Sequence, residues 1–314
     1  MIKLINKAAL FLIMSRARFE GSHTRHSEEG TMAKLDHSRF QTSGEADMPL
    51  DVAAYLSRIG HDGRGGPGAD LLRELQRDHI AAIPFEALDV LTQVGVDLSP
   101  GHVEEKLVAR RRGGYCFEQN GLFRRVLEHV GFEVEPRIAR VVWGGRDEGA
   151  WPLRTHMCLL TRLAGEEWLV DVGFGTAVPT GPLLWNSEAV QPTPLGSYRL
   201  SNTRFGKLLE LKLADEWVPV YEVYFEPPMN IDLEVANWFT STHPMSIFTR
   251  HLIVARVTSE SRISLFDREL TVRGAKGEVH RETLDLAGVE RVLGETFGLP
   301  VEDSWWPALK RIAS

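Results

Sequence analysis

The residue that most suggests chemistry is Cys116, which comes just after two glycines and opens a helical pattern. Apolar or small residues recur with helical spacing over 117–130, and Gly131 is a typical helix end. A thiol on the first turn lies at the positive end of the helix dipole, which favours its thiolate form. The glycines at 113–114 leave room for a backbone or ligand to approach. The local pattern fits a nucleophile, but it also fits a buried structural cysteine.

A histidine and an aspartate downstream could complete a thiol triad. Two apolar runs around a polar turn predict a β-hairpin, and its simplest register pairs Leu163 with Glu166. In that register His156 and Asp171 share a face one pair apart, whereas a slip of one residue would separate them. The carboxylate would then orient the imidazole, and the imidazole would remove the proton from Cys116.

Each member of this set also has an ordinary structural explanation. A lone histidine in a strand is more often a core or surface residue than a catalytic one. Asp171 precedes a glycine-containing stretch and could simply start a turn. Cys158 competes with Cys116 for the nucleophile role, but it lies mid-strand among apolar neighbours, where a buried inert thiol is the better explanation.

The composition is globular and argues against several classes of function. The length of 314 residues predicts two or three domains. Lys plus Arg total 36 against 43 Asp plus Glu, a net charge of −7, which argues against nucleic-acid and membrane-surface partners. The two cysteines exclude a disulfide framework and favour a reducing, cytoplasmic compartment. Neither C-x-x-C nor H-E-x-x-H occurs, so no metal site is predicted.

Hydrophobic periodicity divides the chain into an N-terminal extension and three folded segments. Residues 1–47 contain an apolar run too short to span a bilayer and a polar stretch, which predict a disordered or mis-annotated extension. Residues 48–131 are mainly helical and carry Cys116. Residues 132–230 alternate with period two, as in a β-barrel, and residues 231–314 mix strands and helices as an α/β lid. We expect an α+β, three-domain fold: helical bundle, β-barrel and α/β lid.

Local signals place the first elements. Asp51 is the expected N-cap of a helix that Gly60 closes. A second helical pattern covers 69–83 and ends before Pro84. The stretch from Val90 to Leu98 has the pattern of a hairpin.

Several blocks of the sequence together resemble the arylamine N-acetyltransferases. The resemblance runs from about Met48 to near the C-terminus. It departs at Ala87, where the family often has Asn, which could alter pocket polarity. The blocks are Ile-Pro-Phe-Glu at 83–86, Arg-Gly-Gly-Tyr-Cys-Phe-Glu-Gln-Asn at 112–120, Thr-His-Met-Cys-Leu-Leu at 155–160, Val-Asp-Val-Gly-Phe-Gly at 170–175 and Ser-Thr-His-Pro at 241–244.

The resemblance implies a fold and a set of site residues. The family has a helical first domain, a β-barrel second domain and an α/β third domain, with its triad between the first two. Cys116 corresponds to the acetyl acceptor, His156 to its base and Asp171 to the orienting carboxylate. Glu86 and Arg112 correspond to the family's structural ion pair. The resemblance further implies that the walls of a pocket for an aromatic ring are formed by Phe85, Val141 and Phe174. It also implies that acyl or CoA groups are received by the backbone at Gly173, Phe174 and Gly175.

The implied reaction is ping-pong acetyl transfer from acetyl-CoA to arylamines or arylhydrazines, through a thioester on Cys116. The implied partners are these small molecules, with no nucleic acid, membrane or metal. Two alternatives remain open at this point. One is a papain-like or transglutaminase-like hydrolase or crosslinker, although the residues around Cys116 differ from the papain signature. The other is a non-catalytic binding protein with the same fold.

Overall fold

A computed structural model describes residues 49–145 and 152–313, so the predicted N-terminal extension lies outside the described residues. Helices and antiparallel strands combine in an α+β fold, as predicted. No helix within these two ranges is long and apolar enough to cross a membrane.

Helices form most of the first segment. The Asp51 carboxylate accepts a hydrogen bond from the Ala54 amide at 2.9 Å, which confirms the predicted N-cap. Gly60 ends that helix with φ 73°. The predicted hairpin over 90–98 is wrong, because Val90 and its apolar neighbours turn inward in a short helix instead. The helices are α1 Val52–Ile59, α2 Ala69–Ala82, α3 Leu88–Leu91, α4 Pro100–Glu104, which continues as a π-helical turn over Glu105–Ala109, and α5 Cys116–Val130.

An eight-stranded antiparallel sheet follows, in the order β5-β4-β3-β2-β9-β8-β7-β6. The hairpin β3–β4 has the predicted register, with Leu163 opposite Glu166. Its two turn residues, Ala164 and Gly165, have φ of 53° and 82°, as the tightest hairpin turns require. The strands are β2 Glu133–Val141, β3 Arg154–Leu163, β4 Glu166–Val170, β5 Leu183–Leu184, β6 Gln191–Thr193, β7 Gly196–Asn202, β8 Gly206–Leu213 and β9 Glu216–Tyr224.

A second sheet has five strands in the order β1-β10-β11-β12-β13. Its edge strand β1 comes from the first segment, and Phe85 pairs with Ala255 of β10. The first and third segments therefore share a sheet, and the domain limits given above stay a prediction. The remaining elements are β1 Phe85–Glu86, β10 Ile253–Val257, β11 Ser261–Phe266, β12 Glu269–Gly274, β13 Val279–Thr283, α6 Asn230–Thr242, α7 Leu286–Arg291 and α8 Trp306–Ala313.

One apolar core joins the helices to the large sheet. It contains Leu72 of α2, Phe123 of α5, and Leu159 and Val170 of the β3–β4 hairpin. Because α5 packs directly on β2 and β3, its first residue comes to lie beside the strand that carries His156.

Candidate active site

The thiol of Cys116 lies at the N-terminus of α5, against the large sheet. Its sulfur is 3.6 Å from the carbonyl oxygen of Thr155 on β3, and the residue is 6% exposed. Gly173 lies against the backbone of the same residue, where an added Cβ would be 2.7 Å from the Cys116 Cα. Glycine at 173 is therefore what allows the loop after β4 to approach the cysteine.

His156 and Asp171 form a buried pair next to this thiol. The imidazole Nε2 lies 2.9 Å from Asp171 Oδ2, and the two residues are 2% and 0% exposed. Burial lowers the pKa of His156, but the charge and hydrogen bond of Asp171, together with the Cys116 sulfur, raise it overall from 6.5 to about 10. Since Nε2 is bound to the carboxylate, Nδ1 is the nitrogen left for the sulfur. The arrangement favours the imidazolium form of His156 beside the Cys116 sulfur.

Four donors hold the carboxylate of Asp171. Besides His156, the Tyr221 hydroxyl donates to Oδ2 at 2.9 Å, and Asn120 Nδ2 and the Gly173 amide donate to Oδ1 at 2.9 and 2.8 Å. These four hydrogen bonds compensate the buried charge and fix the direction in which the carboxylate faces the imidazole.

Sequence reasoning missed two of these donors. Asn120 lies four residues after Cys116, so it shares a helix face with the thiol, and that spacing could have identified it. Its side chain also donates to the Met157 carbonyl at 2.8 Å and accepts from the Val172 amide at 3.1 Å. Tyr221 comes from β9, and no local pattern points to it.

A buried charge network supports the segment that precedes Cys116. Arg112 Nη2 contacts Glu86 Oε1 and Asp89 Oδ1, each at 2.8 Å, so the structure brings the predicted ion pair together and adds a second carboxylate. Lys106, which is 2% exposed, binds Asp89 at 2.7 Å and Glu118 at 2.6 Å. Burial lowers the pKa of Lys106, yet the surrounding carboxylates raise it overall above its usual value. Both cations therefore stay charged inside the protein.

Glu118 connects this network to the helix that carries the thiol. Its Oε2 accepts a hydrogen bond from the Tyr115 amide at 3.0 Å, while its Oε1 binds Lys106. The Tyr115 hydroxyl in turn donates to Asn237 on α6. The residue before Cys116 is thus held from two sides.

The three predicted pocket residues differ in how they contact the predicted triad. The Phe174 ring meets His156 edge-on at 5.0 Å and also lies 5.0 Å from the Tyr221 ring. Phe85 lies next to Gly175, where an added Cβ would be 3.4 Å from its ring. Val141 ends β2 and pairs with Tyr221. Phe174 is therefore the one placed directly against the imidazole.

The second thiol, that of Cys158, lies among apolar residues of the sheet core. Cys158 is fully buried in the sheet core, and burial raises its pKa well above the usual value. An inert thiol fits this position. Within residues 49–145 and 152–313, no group of three or more His, Cys, Asp or Glu side chains is arranged to hold a metal ion.

Known proteins resemble this chain over most of its length. A family profile described as N-acetyltransferase matches residues 69–306. An arylamine N-acetyltransferase of Mycobacterium tuberculosis is 43% identical over 259 residues, covering 82% of this chain and 92% of that protein. A Salmonella typhimurium relative, named arylamine N-acetyltransferase / N-hydroxyarylamine O-acetyltransferase, is 34% identical over 258 residues, covering 82% and 91%. The solved structure of Mycobacterium marinum arylamine N-acetyltransferase in complex with CoA has a TM-score of 0.80 and 40% identity, covering 84% of this chain and 98% of that one.

Proposed function

The chain belongs to the arylamine N-acetyltransferase family of acyltransferases, and we propose that it moves an acetyl group from acetyl-CoA to aromatic amines and hydrazines through a thioester on Cys116. The observation that carries the proposal is the contact between His156 and Asp171 at 2.9 Å beside the thiol at the start of α5.

The first half-reaction begins with proton transfer inside the triad. His156 Nδ1 takes the proton of Cys116, and Asp171 stabilises the resulting imidazolium. The thiolate attacks the carbonyl carbon of acetyl-CoA, a new C–S bond forms, and the bond to the CoA sulfur breaks. CoA leaves with the proton from the imidazolium. The His156 pKa of about 10 supports an imidazole basic enough to take this proton at neutral pH.

The second half-reaction returns the enzyme to its starting state. The nitrogen of a weakly basic aromatic amine attacks the acetyl carbon of the thioester. His156 accepts the proton that the amine loses, and the bond between the acetyl carbon and Cys116 breaks. A thiolate and an imidazolium remain, ready for the next acetyl-CoA. CoA therefore leaves before the amine reacts, which defines ping-pong kinetics.

The residues around the triad suit an aromatic acceptor. Phe174 presents a ring beside His156. Phe85 packs against Gly175, the next residue of that loop, and Val141 pairs with Tyr221. We assign these three to the acceptor pocket. We assign the backbone at Gly173–Gly175 to the acyl or CoA end, because the missing Cβ at 173 lets that loop reach Cys116 closely.

The test mixes the protein with acetyl-CoA, with and without an arylamine, and follows free CoA. We expect one burst of CoA per enzyme without amine, an acetyl group on Cys116 by mass spectrometry, and steady turnover once amine is added. Cys116→Ser should abolish both phases, whereas Cys158→Ser should retain them. Amine-independent turnover would favour a thiol hydrolase, and no burst together with unreactive Cys116 would favour a binding protein; either result overturns the proposal.

A further inference from the structure

A second buried histidine lies outside the triad. His79 of α2 is 0% exposed and is packed edge-on against the Phe123 ring at 5.2 Å. Its Nδ1 is 2.8 Å from the Tyr55 hydroxyl of α1, and its Nε2 is 3.2 Å from Gln119 Oε1 of α5. Both ring nitrogens are therefore bound by side chains from neighbouring helices.

The direction of each of these hydrogen bonds follows from the other contacts of the Gln119 side chain. Gln119 Nε2 donates to the carbonyls of Pro84 at 3.1 Å and Gly114 at 2.7 Å. Carbonyls only accept, so the amide cannot be reversed and its Oε1 must accept a proton from His79 Nε2. Nδ1 is then left to accept from the Tyr55 hydroxyl. The contacts specify a neutral imidazole with its proton on Nε2.

The electrostatic surroundings agree with this neutral form. Burial is the largest effect on the pKa of His79 and, with the smaller contribution of Arg58, lowers it from 6.5 to about 3, although the hydrogen bond to Gln119 acts the other way. The Tyr55 pKa is raised well above its usual value, chiefly by burial, so the hydroxyl keeps the proton it donates.

The chain of contacts ends on the peptide that leads into the nucleophile. The Gly114 carbonyl, two residues before Cys116, accepts from Gln119 and also from the Glu86 amide of β1 at 3.1 Å. A side chain at 114 would collide with Glu118, since an added Cβ would lie 2.8 Å from its Oε2. Gln119 is thus one of two groups that hold this peptide, and His79 anchors the oxygen end of its amide.

We propose that His79 is a positioning residue: as a neutral Nε2–H donor it anchors Gln119 Oε1, so that Gln119 holds the Gly114 carbonyl and keeps the Cys116 sulfur beside His156. This role of His79 rests on the proposed function only where its test measures acetylation of Cys116. Without the His79 proton, Gln119 Oε1 is buried and unsatisfied, and the side chain is held at its nitrogen end alone. A displacement of the nucleophile by about 1 Å costs on the order of 100-fold in rate.

The kinetic test compares variants of the full chain by the rate of Cys116 acetylation in a single turnover and by its alkylation with iodoacetamide. Both rates are normalised to the folded fraction. We expect His79→Leu and Gln119→Leu each to slow both reactions about 10- to 100-fold. The double variant should be no slower than either single one, because the two residues act as one unit. His79→Gln, which keeps a donor near Nε2, should recover most of the loss, and His129→Gln on the exposed face of α5 serves as the matched control.

The second measurement needs no variant. Nitrogen NMR of the histidine rings should show His79 neutral and protonated on Nε2 from pH 5 to 9, on the grounds of its buried partners. A proton on Nδ1 or an imidazolium in that range overturns the proposal. So do normalised rates for Gln119→Leu or a folded His79→Leu within about twofold of the unaltered protein, whatever their melting temperatures. If His79→Leu does not fold, Gln119→Leu and the NMR result decide. If the unaltered protein is not acetylated, the proposed function fails, while alkylation and NMR still test His79.

Discussion

The substitution Asp171→Asn should shift the proton of the His156 imidazole from Nε2 to Nδ1. The donors on Oδ1 cannot reverse, because the Gly173 amide always donates and Asn120 is fixed by its own partners at Met157 and Val172. The new amide oxygen must therefore take the Oδ1 position. The new NH2 group then faces His156 Nε2, which has to accept, so its proton moves to Nδ1.

The cost of this change follows from the role of Nδ1. With a proton there, His156 no longer accepts one from Cys116, and the charge that raised its pKa is also lost. The same tautomer error in a serine-protease triad costs about 10⁴ in kcat. At about 1.4 kcal/mol per tenfold, the barrier to acetylation should rise by about 5 kcal/mol.

The assay is stopped-flow CoA release in a single turnover at pH 7. Tyr221→Phe is the matched control, since it removes one donor from the same carboxylate but leaves the charge and the tautomer. It should slow acetylation less than about tenfold and lower the free energy of unfolding by about 1.5–3 kcal/mol. An Asp171→Asn enzyme that acetylates within tenfold of the unaltered protein would refute the assignment of Asp171 as the orienting group.

Three further predictions concern pH, the charge network and the glycine beside the thiol. The pKa of His156 is about 10 in the folded protein against 6.5 in the unfolded chain. The resulting stabilisation is complete below about pH 6.5 and is lost as the pH rises to about 10. Denaturant unfolding of the unaltered protein and of His156→Gln across this pH range measures the difference. Lys106→Met leaves the buried Glu118 carboxylate without its cation, while Asp89 keeps Arg112, and should cost about 3–5 kcal/mol in urea unfolding. Gly173→Ala should slow acetylation about 100-fold by displacing Cys116, whereas Gly121→Ala, with open space at its Cβ, should stabilise α5 by about 0.5–1 kcal/mol.

Each of these has a clear contrary result. A difference in unfolding free energy between the unaltered protein and His156→Gln that stays constant from pH 6.5 to 10 would exclude the raised pKa. A loss below about 1 kcal/mol in Lys106→Met would place its carboxylate partners in contact with water. Equal acetylation rates in Gly173→Ala and Gly121→Ala would show that the loop after β4 can move away from the thiol at no cost.

The features that sequence could predict are those with local signals. The Leu163–Glu166 register follows from two apolar runs and a two-residue turn, and it alone places His156 and Asp171 on the same face. The helix after Cys116 follows from apolar spacing and a terminal glycine, and it runs over the expected residues. In both cases the pattern and the packing demand the same structure.

The features that sequence missed depend on contacts between distant elements. Lys106 has the pattern of an ordinary exposed helix residue, and only the fold brings Asp89 and Glu118 against it. Tyr221 reaches Asp171 because β9 pairs with β2, which no local signal predicts. The hairpin prediction at 90–98 failed for the related reason that apolar residues before a glycine suit a short buried helix equally well.

The pairing of β1 with β10 has a consequence for how the protein is made. The ribosome delivers Glu86 and Arg112 long before Ile253, and at about 5–20 residues per second the interval is roughly 7–33 s. Glu302, which contacts Arg112 at 3.2 Å, emerges later still. The nascent chain therefore contains Cys116 before β10 and Glu302 are available to pack against the segment that precedes it. Acyl transfer must wait until translation has passed these late residues.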